Sequence, residues 1–262
     1  MELSGAVAVV TGGTGTMGSD IRRALEARGA VAVPWDAITD APKALSCDVS
    51  NTESVDEALA YTVKTYGVPT VLVNAAGVSG GRSVWADSAD SENWPLVLSP
   101  PEAWDAVMSV NVIGLSNTMR AFARQLQQAG SPGAIVNITS LSGAEMADPM
   151  LAAYSSSKAA ANMITRVAAR TLGPLGIRVN AVAPGVMETR MRVPAGAPNP
   201  GSSPEAEARM QRVMKATPLG SRLVRPADIS AAVMGLLDMD FVTGQVVLVD
   251  GGLTLRSVSR DV

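Results

Sequence analysis

Short β-branched runs return along this chain at intervals long enough for one helix each, and that cadence limits the fold more than any other feature. AVAVVT (6–11), AVAV (30–33), TVLVN (70–74), AIVNIT (134–139), IRVNAVA (177–183) and QVVLVD (245–250) read as strands. They are apolar over most of their length, as strands buried on both faces are. Between them, 17–29, 51–66, 101–129, 151–173 and 226–238 read as helices, with a shorter one near 204–215. Ser50-Asn51-Thr52-Glu53 and Ser99-Pro100-Pro101-Glu102 each fit a capping box, and Pro226 after Arg225 opens the last long helix. Strands and helices alternating at this spacing predict an α/β fold, a parallel sheet covered on both faces. No linker, repeat or compositional break divides residues 1–262, so one domain is expected.

Composition removes whole classes of function. The chain contains no histidine, which excludes Ser-His-Asp and Cys-His catalysis and any histidine-ligated metal within it. Cys47 is the only cysteine, so no intramolecular disulfide or cysteine metal cluster forms, and no metal site is expected. A net charge of −3, with aromatics at 3%, points away from nucleic acid and anionic membranes. The opening MELSGAVAVVTGG lacks the basic segment and long apolar run of a secretion signal, and no stretch suits a membrane span. The cytoplasm is the default location. Acid–base chemistry falls to Tyr, Lys, Asp, Glu or the lone Cys.

The first strand runs into TGGTGTMG (11–18) and then a helix. Glycines at 12, 15 and 18 let backbone approach a pyrophosphate, and the helix N-terminus, with Thr16 and Met17, offers N–H groups to it. Asp36 lies 18 residues past Gly18, at the end of the second strand. A carboxylate there accepts hydrogen bonds from an adenosine ribose and repels a 2′-phosphate. No Lys or Arg occupies 12–18 or 37–42 to receive that phosphate, so NAD(H) is favoured over NADP(H).

Within LAAYSSSKAAANMI, Tyr154 and Lys158 stand four apart and so share one face of a helix. A cation beside a phenol favours the phenolate and lowers its pKa, making a proton donor and acceptor usable near neutral pH. The spacing alone is common; its setting is not. With the glycine turn, Asp48-Val49, NAAG (74–77), NVIG (111–114), IVNITS (135–140), YSSSK (154–158) and RVNAVAPG (178–185) followed by Thr189, the chain resembles a short-chain dehydrogenase/reductase of the single-domain branch over nearly its whole length.

The resemblance implies a doubly wound Rossmann-type sandwich with a seven-stranded parallel sheet and helices on both faces. It implies Tyr154 as general acid in reduction and base in oxidation, and Lys158 as the holder of the nicotinamide ribose that, with the positive nicotinamide ring, lowers the tyrosine pKa. Ser140 would bind the substrate oxygen, with Ser142 its rival, and Asn111 would complete a water-linked proton relay. Asp48 and Val49 would meet the adenine, Asn74 would shape the sheet beside the cofactor, and Thr189 would contact its nicotinamide end or phosphates. The expected activity interconverts a small secondary alcohol and a ketone. The alternatives are an NADPH-dependent 3-oxoacyl-thioester reductase and, from another class, a nucleotide-binding sensor without turnover. The family's paired long helices, here 101–129 and 151–173, imply a homotetramer.

The chain also departs from the family pattern. Thr16 stands where the usual turn has glycine, and the eleven residues between Asp36 and Asp48 leave little room for a helix. Two long loops, 78–100 and 186–222, leave the carboxyl ends of strands, where ligands of such sheets bind. The second is expected to cover substrate. Met146, Met150, Leu151, Met187 and Met191 suggest an apolar substrate pocket, with Arg82, Arg190 and Arg192 available to a carboxylate.

Overall fold

The structure, a computed structural model, describes residues 1–37, 44–79, 101–146, 151–187 and 204–255. Seven parallel strands form one sheet in the order β3-β2-β1-β4-β5-β6-β7. They are β1 (Val7–Thr11), β2 (Val31–Asp36), β3 (Leu45–Ser46), β4 (Pro69–Asn74), β5 (Gly133–Ile138), β6 (Ile177–Pro184) and β7 (Val246–Val249). The helices are α1 (Thr16–Ala27), α2 (Thr52–Tyr66), α3 (Pro101–Met108), α4 (Leu115–Ala129), α5 (Ala152–Leu172), α6 (Pro204–Ala216) and α7 (Pro226–Asp238). Chain order reverses direction across the sheet between β1 and β4, the position where a doubly wound sheet opens a crevice at its carboxyl edge.

Alternation along each strand feeds two separate cores. Val7, Val9, Leu72, Ile135, Ile177 and Val179 face α2, α4 and α5, where they meet Leu59, Phe122, Leu126 and Ala161. Ala8, Val10, Val71, Val73, Val136 and Val182 face α1 and α7, where they meet Ile21, Leu25, Ile229, Val233 and Leu237. The period of two therefore survives inside runs that are apolar throughout, because both faces are dry. Cys47 belongs to the first core, and burial pushes its thiol up to about 12.

Helix α5 approaches the sheet on a stripe of small residues. Ala153, Ser157, Ala161, Thr165 and Ala169 recur every fourth position and all are buried. Small side chains there let the helix backbone come close to β5 and β6, which carries Lys158 down to the strand ends.

Several expectations change. The two-residue β3 is a strand that the run pattern misses, being too short to show a period. The helix expected over 101–129 is broken by a π-helical turn at Ser109–Gly114. Asn51, not Ser50, caps α2, its side chain accepting from the Ser54 N–H at 3.1 Å, while Ser50 bonds Asp48 instead. Helix α7 does start at Pro226, with Asp228 accepting from the Arg225 N–H at 2.8 Å and pairing with Arg222. The capping box at Ser99, the vestigial helix at 38–43, the loop from 80 to 100 and the cover from 188 to 203 lie outside the described residues. No helix among the described residues is long and apolar enough to cross a membrane.

Candidate active site

The crevice is built where β1 and β4 end. The Thr11 hydroxyl accepts from the N–H groups of Ala75 (3.2 Å) and Ala76 (3.1 Å), tying the two strand exits together. Gly12 has φ +62°, and a Cβ there would come within 2.9 Å of the Ala76 backbone. The Gly15 N–H bonds the Gly12 carbonyl at 3.1 Å, and a Cβ on Gly18 would lie 2.2 Å from that same oxygen. The turn is therefore closed onto α1 as tightly as glycine permits. No side chain caps the first turn of α1 and no acidic residue sits in it, so its N–H groups and positive dipole end face the crevice. Thr16 is exposed at the first helical position, and Met17 packs into the α1/α7 core. Gly13 was not singled out by its sequence pattern, yet a Cβ there would strike the Val10 carbonyl and Pro34.

Asp36 ends β2 beside this turn. Its Oδ2 accepts from the Thr14 N–H at 3.1 Å and the Thr14 hydroxyl at 2.5 Å, which makes Thr14 a partner that sequence reasoning missed. Asp48 is exposed and accepts from the N–H and hydroxyl of Ser50, whereas Val49 is buried against Gly114. Backbone joins the two acids, since the Cys47 N–H bonds the Asp36 carbonyl at 2.9 Å.

Asn74 lies one layer lower and is fully engaged. Its Nδ2 donates to Asn137 Oδ1 at 2.9 Å and its Oδ1 accepts from the Thr118 hydroxyl at 2.8 Å. Asn137 in turn donates to Thr165 at 2.9 Å. This buried ladder pins β4 and β5 to α4 and α5, and its partners were invisible because Asn137 meets Asn74 only through strand register and the two threonines come in from α4 and α5.

Ser140, Tyr154, Lys158 and Asn111 converge at the carboxyl ends of β4 and β5. Ser140 opens a 3-10 turn (Leu141–Gly143), accepts from the Ser142 N–H at 3.2 Å and hydrogen-bonds the Tyr154 phenol. Ser140 rather than Ser142 is thus the serine on the phenol. Gly143 lets this turn press on α5, as a Cβ there would sit 2.4 Å from the Lys158 backbone. Lys158 is buried; its Nζ donates to the Ile138 carbonyl at 3.0 Å and lies 5.6 Å from the Tyr154 ring centroid. Asn111, on the π-helical turn, holds Val78 by both backbone groups, at 2.9 and 2.8 Å, and donates to Ser157 at 3.0 Å. π-turns of this kind redirect a side chain within a helix, and here the redirected side chain is Asn111.

The electrostatics differ from expectation. Burial pushes the Tyr154 phenol up, and the Ser140 hydrogen bond opposes this without reversing it. Burial also pushes the Lys158 ammonium down, to about 8, which leaves it a cation at neutral pH. The site thus holds a protonated phenol at neutral pH with a cation one turn away.

Of the remaining expected residues, Thr189, Met150, Met191, Arg82, Arg190 and Arg192 lie outside the described residues. Met146 and Leu151 are half-buried before α5, and Met187 bridges to Val224 and packs on the α1/α7 core. Among the described residues, no three acidic or cysteine side chains gather as metal ligands.

Known proteins resemble this chain in sequence and fold. Residues 6–254 match the family model described as enoyl-(acyl carrier protein) reductase. The chain is 32% identical over 269 residues to galactitol 2-dehydrogenase (L-tagatose-forming) of Cereibacter sphaeroides, covering 97% of each chain. It is 33% identical over 213 residues to the (S)-acetoin-forming diacetyl reductase of Staphylococcus aureus, covering 80% of this chain and 77% of that one. The solved 3-ketoacyl-(acyl-carrier-protein) reductase of Brucella melitensis, complexed with NADH, superposes with a TM-score of 0.80 at 26% identity, covering 97% of this chain and all of that one. Glycine turn, Ser-Tyr-Lys cluster and seven-stranded sheet together agree with these matches, and the chain belongs to the short-chain dehydrogenase/reductase family of oxidoreductases.

Proposed function

We propose that this chain is a single-domain, NAD(H)-dependent oxidoreductase that interconverts a secondary alcohol and a ketone, with Tyr154 as general acid and base. The observation that carries the proposal is the meeting of the Ser140 hydroxyl, the Tyr154 phenol and the buried Lys158 ammonium at the strand ends. The residues fit a dinucleotide: Gly12 and Gly18 close a turn that only glycine permits, the uncapped α1 behind it suits a pyrophosphate, and Asp36 suits a ribose diol. When bound, the nicotinamide supplies or accepts the hydride.

The chain's own residues do the rest. Gly12 to Gly18 and α1 bind the phosphates, while Asp36, with Asp48 and Val49 beside it, binds the adenosine end and disfavours a 2′-phosphate. Lys158 binds the nicotinamide ribose, and Thr189 contacts the nicotinamide end or the phosphates. Asn74 keeps the sheet edge rigid beneath the cofactor. Ser140 holds the substrate oxygen against the Tyr154 hydroxyl. In reduction, Tyr154 gives its proton to that oxygen, and burial keeps the proton in place until it is needed. In oxidation, Tyr154 takes the alcohol proton, and the Ser140 hydroxyl and protonated Lys158 stabilise the resulting phenolate, with Asn111 carrying the relay onward.

An NADPH-dependent 3-oxoacyl-thioester reductase, which reduces the ketone of its substrate, is the second reading, supported by the name of the Brucella 3-ketoacyl reductase, though that structure is complexed with NADH. The complete catalytic set speaks against a sensor without turnover. Half-exposed Ile113, Met163 and Val167 on the α4/α5 side, and exposed Met239 and Phe241 beside β7, support a homotetramer.

The test follows NADH absorbance with galactitol, diacetyl and a 3-oxoacyl thioester, in both directions. Tyr154→Phe should lower turnover by about 10²–10⁴-fold while leaving NADH affinity within about twofold. Near-normal turnover in that variant overturns the proposal.

A further inference from the structure

We infer that Ser157 is a positioning residue for this site: its hydroxyl fixes the Asn111 amide to the helix that carries Tyr154 and Lys158, and turnover depends on it through Asn111. The inference rests on the catalytic reading above. Ser157 lies three residues after Tyr154 and one before Lys158, on the buried stripe of α5, and it is fully buried.

Its hydroxyl has one proton and gives it to the Tyr154 carbonyl at 2.7 Å. Toward Asn111 it can then only accept, and it does so from Nδ2 at 3.0 Å. That assignment propagates. With Nδ2 committed to Ser157 and to the Val78 carbonyl, Oδ1 is left to accept from the Val78 N–H. One orientation of the amide satisfies all three bonds, and the flipped one satisfies none of them.

Only one of the three bonds reaches α5. The two to Val78 hold the π-helical turn to the segment leaving β4; the bond to Ser157 holds the same amide to the catalytic helix. Ser157 therefore sets the spacing between the Val78 backbone and the Tyr154–Lys158 turn. Gly77 lies in that gap, where an added Cβ would sit 3.3 Å from both Asn111 Oδ1 and Lys158 Nζ. The Asn111 amide and the Lys158 ammonium thus flank the same narrow gap.

Ser157→Ala removes the strut and leaves a good helix former in place. Two measurements test it. Amide hydrogen exchange on the cofactor-free protein should show the Val78 N–H exchanging at least about fivefold faster in Ser157→Ala, as expected of a locally loosened hydrogen bond, with α5 protection unchanged. Unchanged exchange at Val78 overturns the inference whatever the substrate. In the assay with diacetyl and NADH, or galactitol and NAD, Ser157→Ala should lower kcat about tenfold, with KM for the nucleotide within about twofold, and should add nothing further in an Asn111→Ala background. Equal losses in both backgrounds, or a kcat matching the unmodified protein, overturn it. Failure of the catalytic reading itself is distinguishable, because it appears as retained turnover in Tyr154→Phe.

Discussion

Replacing Lys158 by Met should stabilise the cofactor-free protein while abolishing its turnover. Lys158 is a buried cation that donates to the Ile138 carbonyl, and burial lowers its pKa from 10.5 to about 8. At about 1.4 kcal/mol per unit, holding the ammonium in this site at pH 7 costs roughly 3 kcal/mol relative to water. Met has a similar length and no charge; losing the Ile138 hydrogen bond gives back about 1 kcal/mol. The net gain is about 2 kcal/mol, or roughly 4–8 °C in Tm for a chain of this size. The sign follows from the depressed pKa. Between about 8 and 10.5 the unfolded chain binds more protons than the folded one, so the wild-type protein recovers this stability as pH rises through that window. Below 8 both states are protonated and the full penalty stands. Calorimetric melts of both proteins at one concentration, at pH 7 and at pH 10.5, should therefore show a gap that closes with rising pH. Cys47 titrates in both proteins and drops out of the difference. A Lys158→Met protein that melts no higher at pH 7, or a gap indifferent to pH, would refute the reasoning.

Asp36→Ala should erase most of the preference for NADH over NADPH, read as a ratio of dissociation constants by calorimetry that falls about tenfold; an unchanged ratio would count against Asp36 as the discriminating group. Gly18→Ala forces a Cβ against the Gly12 carbonyl, so NADH affinity should fall more than about tenfold, with a stability loss of about 1–3 kcal/mol; retained affinity would show that the turn opens freely. Met163→Glu with Val167→Glu places charge on half-exposed apolar positions of α5, and sedimentation should then shift from four chains toward the 26.9 kDa of one; a wild-type protein already at that mass would sink the tetramer.

What the sequence made legible was what is local. The glycine turn, Asp36 at a strand end and the Tyr154–Lys158 spacing are each fixed within a few residues, and the fold sets them where their local geometry requires. Long-range partners were not legible. Asn137 meets Asn74 only because β4 and β5 pair in that register, and Thr165 reaches Asn137 only because α5 lies close on its small residues. The π-helical turn hid inside 101–129 because one extra residue scarcely disturbs an amphipathic pattern. The upward shift of the phenol in the cofactor-free chain was not legible for a related reason: spacing reveals a neighbouring cation but not the depth of burial, and burial decides the direction here.

The lone thiol has a practical use. Cys47 sits within the core beneath α2, and at neutral pH almost none of it is thiolate. Maleimide dyes attack thiolate at accessible positions, so the native chain offers them almost nothing. A cysteine installed at exposed Glu57 on α2 would take a fluorophore alone, with no native residue stripped out first. The protein is already a one-label chassis for watching a nucleotide arrive.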